Sequence, residues 1–559
     1  MNLSDQYILI RTYTDEMGES LPEDDLIFVR QYPTDYLILC LSKINALLYQ
    51  EPRIEHHTAA VLDVIFPGKD HTKLSSATNL KGGAYFASPA ISQLIKACLG
   101  NFVEVDAKLA FYNIQFGSDL FKTILIFNER YFLTNPRTQL DTFAGIFKLD
   151  IQQQHYIRSD FFKIFSMIRF AFIAKFLSDS QDFRKSCTEF CEYYEIANPW
   201  LFGRFFLDIF RIISSKEQLG NHILNVEGMP AKLLSEFTMN MSTLSRKKDI
   251  SVNMDIIPKP FYRIGSDVII IDYNFFQYPI DQGLFYLLYK RTSLKNDRMF
   301  ASYDTFQGYI GLMYFEKYLV KEYLTQTFYR QNQIIVSTEK YQDFIIKSSN
   351  NCVLIIEVKN TKIHAKTLED MDFVAFQSVI DENLLSAKGT DSKNKGVPQL
   401  VVQINNLIED GSELTKKLKI KPNTQLRIFP MIIYSESVFD VSGVNYYVNQ
   451  KSSSMLSGID TKKHIVKPVT LLNVNILIDY FALFKKSPSQ LTNLISDYFS
   501  FARKNRKKYD VENHMHHYYV SNKSFSAYLK HRSLGDQWKL NFTEMKKDFN
   551  LDIPPMNQL

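Results

Sequence analysis

Asp343, Glu357 and Lys359 are the side chains in this sequence best suited to do chemistry together. The stretch Tyr341 to Lys359, YQDFIIKSSNNCVLIIEVK, reads as two β-strands, with Asp343 on the first and Glu357-Val358-Lys359 ending the second. Successive strand residues point to opposite faces, so Glu357 and Lys359 share a face while Val358 turns into the core. Two carboxylates can hold a hard divalent cation, and an ammonium beside them can handle a water or a developing oxyanion. That combination suits hydrolysis of a phosphodiester. Lys359 could serve as the base or stay charged to stabilise the transition state, and the sequence does not choose.

An E-x-K triplet alone is weak, since a chain this long should hold on the order of two by chance, usually as solvated charges on a half-exposed strand. Three neighbouring features add weight. The triplet closes the apolar run Val353-Leu354-Ile355-Ile356, which predicts a strand buried on both faces with its charged end at a cleft. A hairpin with its loop at Ser348 to Asn351 would bring Asp343 beside Glu357. Helices predicted before and after supply Glu316, in GYIGLMYFEKYLVKEYL, and Gln399 with Gln403 four residues on. The bland reading of Glu316 is a solvated glutamate near Lys317 and Lys321, and that of Gln399 an ordinary first-turn residue after Pro398.

In this order the residues resemble the PD-(D/E)xK, or restriction-endonuclease-like, nuclease superfamily. Its core carries a glutamate on a helix, an aspartate on a strand, a strand ending in (D/E)-x-K, and a helix bearing glutamine. The resemblance spans roughly Phe306 to Ser437, and Gln342 stands where the proline of the family name would be. It implies a mixed central sheet flanked by helices. It also implies Asp343 and Glu357 as metal-binding carboxylates, with Glu316 completing the shell, often through water, and the Val358 carbonyl as a further ligand. Lys359 is then similar to the lysine that positions or deprotonates the attacking water. Gln399 is similar to the glutamine that orients that lysine or the scissile phosphate, with Gln403 as the fallback. The implied cofactor is Mg²⁺, with Mn²⁺ as a substitute. The implied activity is that of a DNA endonuclease in genome defence or mobile-element biology. The rival is a protein that keeps the fold but does not cut, and holds nucleic acid or scaffolds a complex.

Other charged groups fall around this centre. Lys362 and Lys366, with His364 between them, follow the site and could meet phosphates, although an alternating run of this kind is more often a solvated edge strand. Arg503, Lys504, Arg506 and Lys507 lie in the densest basic cluster, which is either a solvated helix face or a sequence-blind grip on a nucleic-acid backbone. His514, His516 and His517 have no carboxylate or cysteine partner at diagnostic metal spacing, so they are read as a surface or nucleic-acid-facing group. There is no Walker A loop, dinucleotide fingerprint or G-x-S-x-G elbow.

The elements that must position these residues form an α/β fold with a large, mainly helical N-terminal region and a helical C-terminal tail. The expected division is a region of unassigned role at 1–250, a strand-containing connector at 251–305, the nuclease-like core at 306–485, and a basic helical end at 486–559. Strands are expected at Tyr7–Thr12, Leu26–Arg30, Ser266–Asn274, Gln333–Ser337, Asp343–Ile346, Val353–Lys359 and Arg427–Tyr434. Helices are expected at Pro33–Gln50, Ser159–Ser178, Lys185–Ile196, Leu201–Ile213, Leu284–Arg291, Gly308–Thr327, Leu400–Leu407, Val469–Phe484 and Ser487–Phe501. Ser386–Gly396 reads as a mobile loop. With 559 residues, 45% hydrophobic, and a net charge of +5, the composition is globular and permits a nucleic-acid partner without requiring one. Five scattered cysteines suit a reducing compartment. No signal peptide or membrane span is evident, which predicts a cytoplasmic protein. Double-strand cutting would favour a homodimer, and the N-terminal region could also receive a protein partner.

Overall fold

The computed structural model describes residues 9–51, 54–68, 83–104, 114–133, 142–157, 159–214, 219–244, 247, 249–276, 278–330, 333–338, 342–387, 394–409, 412–457, 459, 463–508, 514–532 and 542–551. The chain is mixed α/β. Its centre is a six-stranded mixed sheet, introduced by a long helix, α1 (303–327). The strands are β1 (Ile334–Thr338), β2 (Gln342–Ser349), β3 (Cys352–Lys359), β4 (Arg427–Tyr434), β5 (Ile465–Val466) and β6 (Thr470–Asn473). The first three form an antiparallel meander; β4 then runs parallel to β3, and β5 and β6 both pair with β4, at its start and its end. Helix α2 (Val397–Ile408) lies in the crossover from β3 to β4, and α3 (Val444–Ser457) lies between β4 and β5.

The period of two along β3 is what makes this sheet a two-sided core. Leu354, Ile356 and Val358 join one apolar cluster, together with Phe344, Ile346, Met431 and Ile433. Val353 and Ile355 join the other, with Ile345, Ile428 and Ile432. Helix α2 covers this second face by setting Val397, Leu400, Ile404 and Leu407 along one stripe. Each such side chain removed from water contributes about 1.5–3 kcal/mol, so β3 and β4, each buried over nearly its whole length, are firmly held in the sheet. Glu357 and Lys359 continue the α2-facing set beyond Ile355, at the end of the strand where the apolar cover gives out.

The first face is closed by helices from distant parts of the chain. Ser159–Asp179, apolar nearly all round, sets Phe172 against Tyr323 of α1 at 5.3 Å and Phe176 against Tyr314 at 5.3 Å. Phe549, near the C-terminus, meets Phe172, Tyr323 and Phe481 at 5.0, 4.7 and 4.8 Å. This one cluster therefore crosses the boundaries drawn at 250, 305 and 485. The antiparallel strands Phe261–Ile264 and Asp267–Ile270 couple it to the N-terminal helices. Phe261, Val268 and Ile270 face the central cluster, whereas Tyr262, Ile269 and Ile271 face a separate N-terminal one.

Three sequence expectations are corrected. Leu26–Arg30 forms turns, closed by an Arg30 to Leu26 backbone bond, and not a strand. The expected helix at Val469–Phe484 begins as β6, because Thr470–Asn473 finds the open edge of β4 to pair with, and only then turns into two short helices. Lys362 and Lys366 lie on no edge strand: β3 stops at Lys359, and Lys366 belongs to a short helix, Ala365–Glu369. Among the described residues no helix is long and apolar enough to cross a membrane. Tyr7 and Ile8 of the first expected strand, and residues 388–393 of the expected loop, lie outside the described residues.

Candidate active site

Register decides whether the three charged groups meet. In the β2–β3 ladder Phe344 opposes Ile356, so the same register continued by one residue sets Asp343 opposite Glu357. Asn350 and Asn351 connect the paired ends Ser349 and Cys352, with an irregularity between Lys347 and Ser349. Asp343 Oδ2 accepts a hydrogen bond from the Val358 main-chain N–H at 2.5 Å, which fixes the carboxylate across the end of β3. Lys359 Nζ donates to Glu357 Oε1 at 2.6 Å and to Gln399 Oε1 at 3.3 Å.

Gln399 owes its place to the start of α2. Its Oε1 also accepts from the Gly396 N–H at 2.9 Å, a capping contact that ties the side chain back over the first turn. Gly396 has φ +67°, and a Cβ there would lie 2.3 Å from the Leu384 carbonyl oxygen, so only glycine fits. Gln403, the fallback, is buried in the core; Gln399 is the glutamine that reaches the lysine.

Glu316 arrives from the opposite side of the sheet. Helix α1 widens from α-helical to π-helical hydrogen bonding over Gly311–Val320, a departure that often marks functional sites. Phe315, Leu319 and Val320 of this stretch are buried in the central cluster. Glu316 lies beside Asp343, close enough that each carboxyl shifts the other's titration. Gly311 lets the helix approach the end of β3, since a Cβ at that position would sit 2.9 Å from the Asn360 amide nitrogen. Asn360 is held in turn by Ser435 Oγ, which donates to its Oδ1 at 2.6 Å.

Burial governs the electrostatics. Glu357 is only 3% exposed, and burial pushes its carboxyl up to about 8 despite the opposing pull of Lys359, with Asp343 adding repulsion. Glu316 is raised to about 7, first by burial and then by the Asp343 charge. Asp343 is also raised, by burial, against the Val358 N–H and the Lys359 charge. Glu357 Oε2 is buried without a hydrogen-bond partner among the described residues. Burial therefore favours the protonated carboxyls in this cluster, and a bound cation would favour the ionised ones.

A hard divalent cation fits this donor set in kind: the donors are all oxygen, and one buried carboxylate oxygen has no other partner among the described residues. Among the described residues, no three His, Cys, Asp or Glu side chains are gathered tightly enough to hold a metal between them. Any ion here would rest mainly on Asp343, Glu357 and water, with Glu316 as an outer group, and Mg²⁺ commonly keeps several waters in this way.

The basic candidates fall into separate places. Lys362 lines a cleft beside Glu316 and lies 3.9 Å from Glu436. Lys366 is exposed and pairs with Asp370 at 2.9 Å. Arg503 and Lys504 are exposed on the helix Ser489–Lys508. Arg506 is turned inward instead, stacked over Tyr446 at 4.7 Å and donating to Asn522 at 3.1 Å. This removes Arg506 from the set offered to a phosphate. The side chains of Lys507, His514, His516 and His517 lie outside the described residues.

Sequence reading missed Asn360, Gly311 and Glu369. Glu369 accepts from the Val252 and Asn253 N–H groups at 3.2 and 3.1 Å, from Asn253 Nδ2 at 2.8 Å, and from Ser251 Oγ and Lys96 Nζ at 3.1 Å each. It ties the segment after β3 to the connector and to the N-terminal helices. Nothing in local spacing signals such a contact, since its partners lie more than a hundred residues away. No family model matches the chain, and neither a curated protein nor a solved structure matches it.

Proposed function

We propose that this protein is a metal-dependent nuclease with a restriction-endonuclease-like core, hydrolysing phosphodiester bonds in nucleic acid, and that DNA is its substrate. The observation that carries this reading is the meeting of five polar side chains at one end of β3. Asp343, Glu357, Lys359, Glu316 and Gln399 come from two strands and two helices on opposite faces of the sheet. Packing alone does not call for three carboxylates and a lysine at a buried strand end, because each buried charge carries a desolvation cost.

Asp343 and Glu357 would hold a Mg²⁺ or Mn²⁺ ion, which when bound supplies Lewis-acid polarisation of the phosphate and a more acidic water. Gln399 holds Lys359 over the α2-facing side of the sheet. Lys359 is positioned to orient a water or to stabilise negative charge as it develops. Burial and the Asp343 charge favour the protonated form of Glu316 in the ion-free cluster, which lessens repulsion with Asp343.

The test is cleavage of circular and linear DNA with Mg²⁺ or Mn²⁺, with an EDTA control, comparing wild type with Lys359→Ala. Metal-dependent cleavage lost in the variant supports the reading; equal behaviour in every lane overturns it. The second reading, a nucleic-acid-binding or scaffold protein that does not cut, is favoured by the closed Lys359–Glu357 pair and by the lack of a gathered three-ligand group among the described residues. Salt-dependent binding without cleavage would select it.

A further inference from the structure

A cleft of about 830 Å³ opens on the α1 side of the cluster, with Glu316 and Val358 in its lining. Its size is that of a small-molecule or nucleotide pocket. Tyr278, Tyr286 and Tyr303 line it, as do Asn360 and Lys362. Tyr286 is 37% exposed and meets Tyr303 edge-on at 5.2 Å, with the Lys290 ammonium 5.5 Å from its ring centre. Asn253 of the connector also lines the cleft and is anchored by Glu369. The N-terminal half thus contributes a wall to a space that reaches Glu316, the outer group of the proposed site.

The chemistry of this lining selects among nucleic-acid substrates. A surface that grips a duplex needs rows of Lys and Arg along the phosphates. Among the described residues this cleft is lined by a single lysine, Lys362, together with His364, and by Asp304 on the helix that carries Tyr303. What it offers instead are aromatic rings and amides, the groups that stack on and hydrogen-bond to bases. Paired bases within a duplex cannot reach such rings; unpaired ones can.

We infer that this cleft binds unpaired nucleotides next to the scissile phosphate, so that the substrate is a single strand or a locally opened one, with bases stacked on Tyr286 and Tyr303. The inference rests on the nuclease reading above for its phosphate end. The stack itself depends only on the cleft.

The test measures anisotropy of a labelled single-stranded oligodeoxynucleotide, the RNA of the same sequence, and the DNA duplex, in EDTA, with wild type, Tyr286→Ala and Tyr286→Phe. Cleavage of each substrate with Mg²⁺ is followed in parallel, with Lys359→Ala as control. Wild type should bind the single strands more tightly than the duplex. Tyr286→Ala should weaken single-strand binding about tenfold while leaving the duplex unchanged, and Tyr286→Phe should restore it. Comparing the DNA and RNA arms identifies which strand the cleft accepts. Lys359-dependent cleavage with equal duplex binding and no effect of Tyr286→Ala overturns the stacking cleft and leaves the nuclease standing. Tyrosine-dependent single-strand binding without cleavage overturns the nuclease and leaves the cleft. If Tyr286→Phe binds as poorly as Tyr286→Ala, stacking is refuted.

Discussion

Replacing Glu357 by Gln should make the ion-free protein more stable at neutral pH while abolishing its activity. Burial holds the Glu357 carboxyl at about 8 against an ordinary 4.5. A raised carboxyl means that the folded state keeps a proton the unfolded chain releases. Stability from this group is therefore greatest below its unfolded value and falls as pH climbs toward 8. At about pH 7.5 the penalty is about 4 kcal/mol, and near pH 5 it shrinks to about 1 kcal/mol or less. The introduced amide would mimic the protonated acid, and its carbonyl could still accept from Lys359. Allowing about 1–2 kcal/mol for the weaker bond to the ammonium leaves a net gain of about 2–3 kcal/mol at about pH 7.5 and a small loss, about 1 kcal/mol, at about pH 5. Urea unfolding in EDTA at the two pH values, followed by two probes because a chain of this size need not unfold in one step, reads the difference. Added Mg²⁺ should stabilise wild type and leave the variant unmoved. A loss of about 3 kcal/mol or more in the variant at about pH 7.5 would refute the reasoning, because Glu357 and Lys359 would then be a structural ion pair whose charge the fold needs.

Other outcomes follow from the same geometry. Gln399→Leu removes the acceptor shared by Lys359 and the Gly396 N–H, and should cost about 1 kcal/mol in urea unfolding along with most of the Mg²⁺-dependent cleavage. Gly311→Ala sets a methyl against Asn360 at the end of β3; cleavage should fall steeply, while the circular dichroism spectrum stays unchanged. Glu369 is lowered: burial raises it, but the Asn253 and Val252 N–H groups and Lys96 together outweigh that. Its stabilisation is present above the ordinary 4.5 and is lost as pH falls through the lower folded value. Glu369→Ala should therefore cost about 2–3 kcal/mol at neutral pH and much less in acid, as read by urea midpoints at both. Gly203→Ala should be among the most damaging single changes in the N-terminal half, since a Cβ there would sit 2.2 Å from the Phe170 ring, and soluble yield should drop.

Local pattern is enough for the first four strands of the central sheet and for the order of the polar groups. Alternation in VLIIEVK places Glu357 and Lys359 on one face and Val358 on the other, because a strand's period of two is a local property. The run RIFPMIIY is legible to its ends for a similar reason, since an unbroken apolar stretch of that length suits a strand covered on both faces. Residues 470–473 are not legible in this way, because an apolar run of this kind serves a helix or a strand equally well until a neighbour's open edge supplies hydrogen-bond partners. Long-range packing is what makes Gln399 and not Gln403 reach Lys359, commits Arg506 to Tyr446, and joins through Glu369 segments more than a hundred residues apart. It also produces the π-helical widening at Gly311–Val320 and the cleft of tyrosines beside it. Such features arise where helices from separate parts of the chain meet one strand end, and contacts between residues that far apart leave no periodicity for a sequence to display.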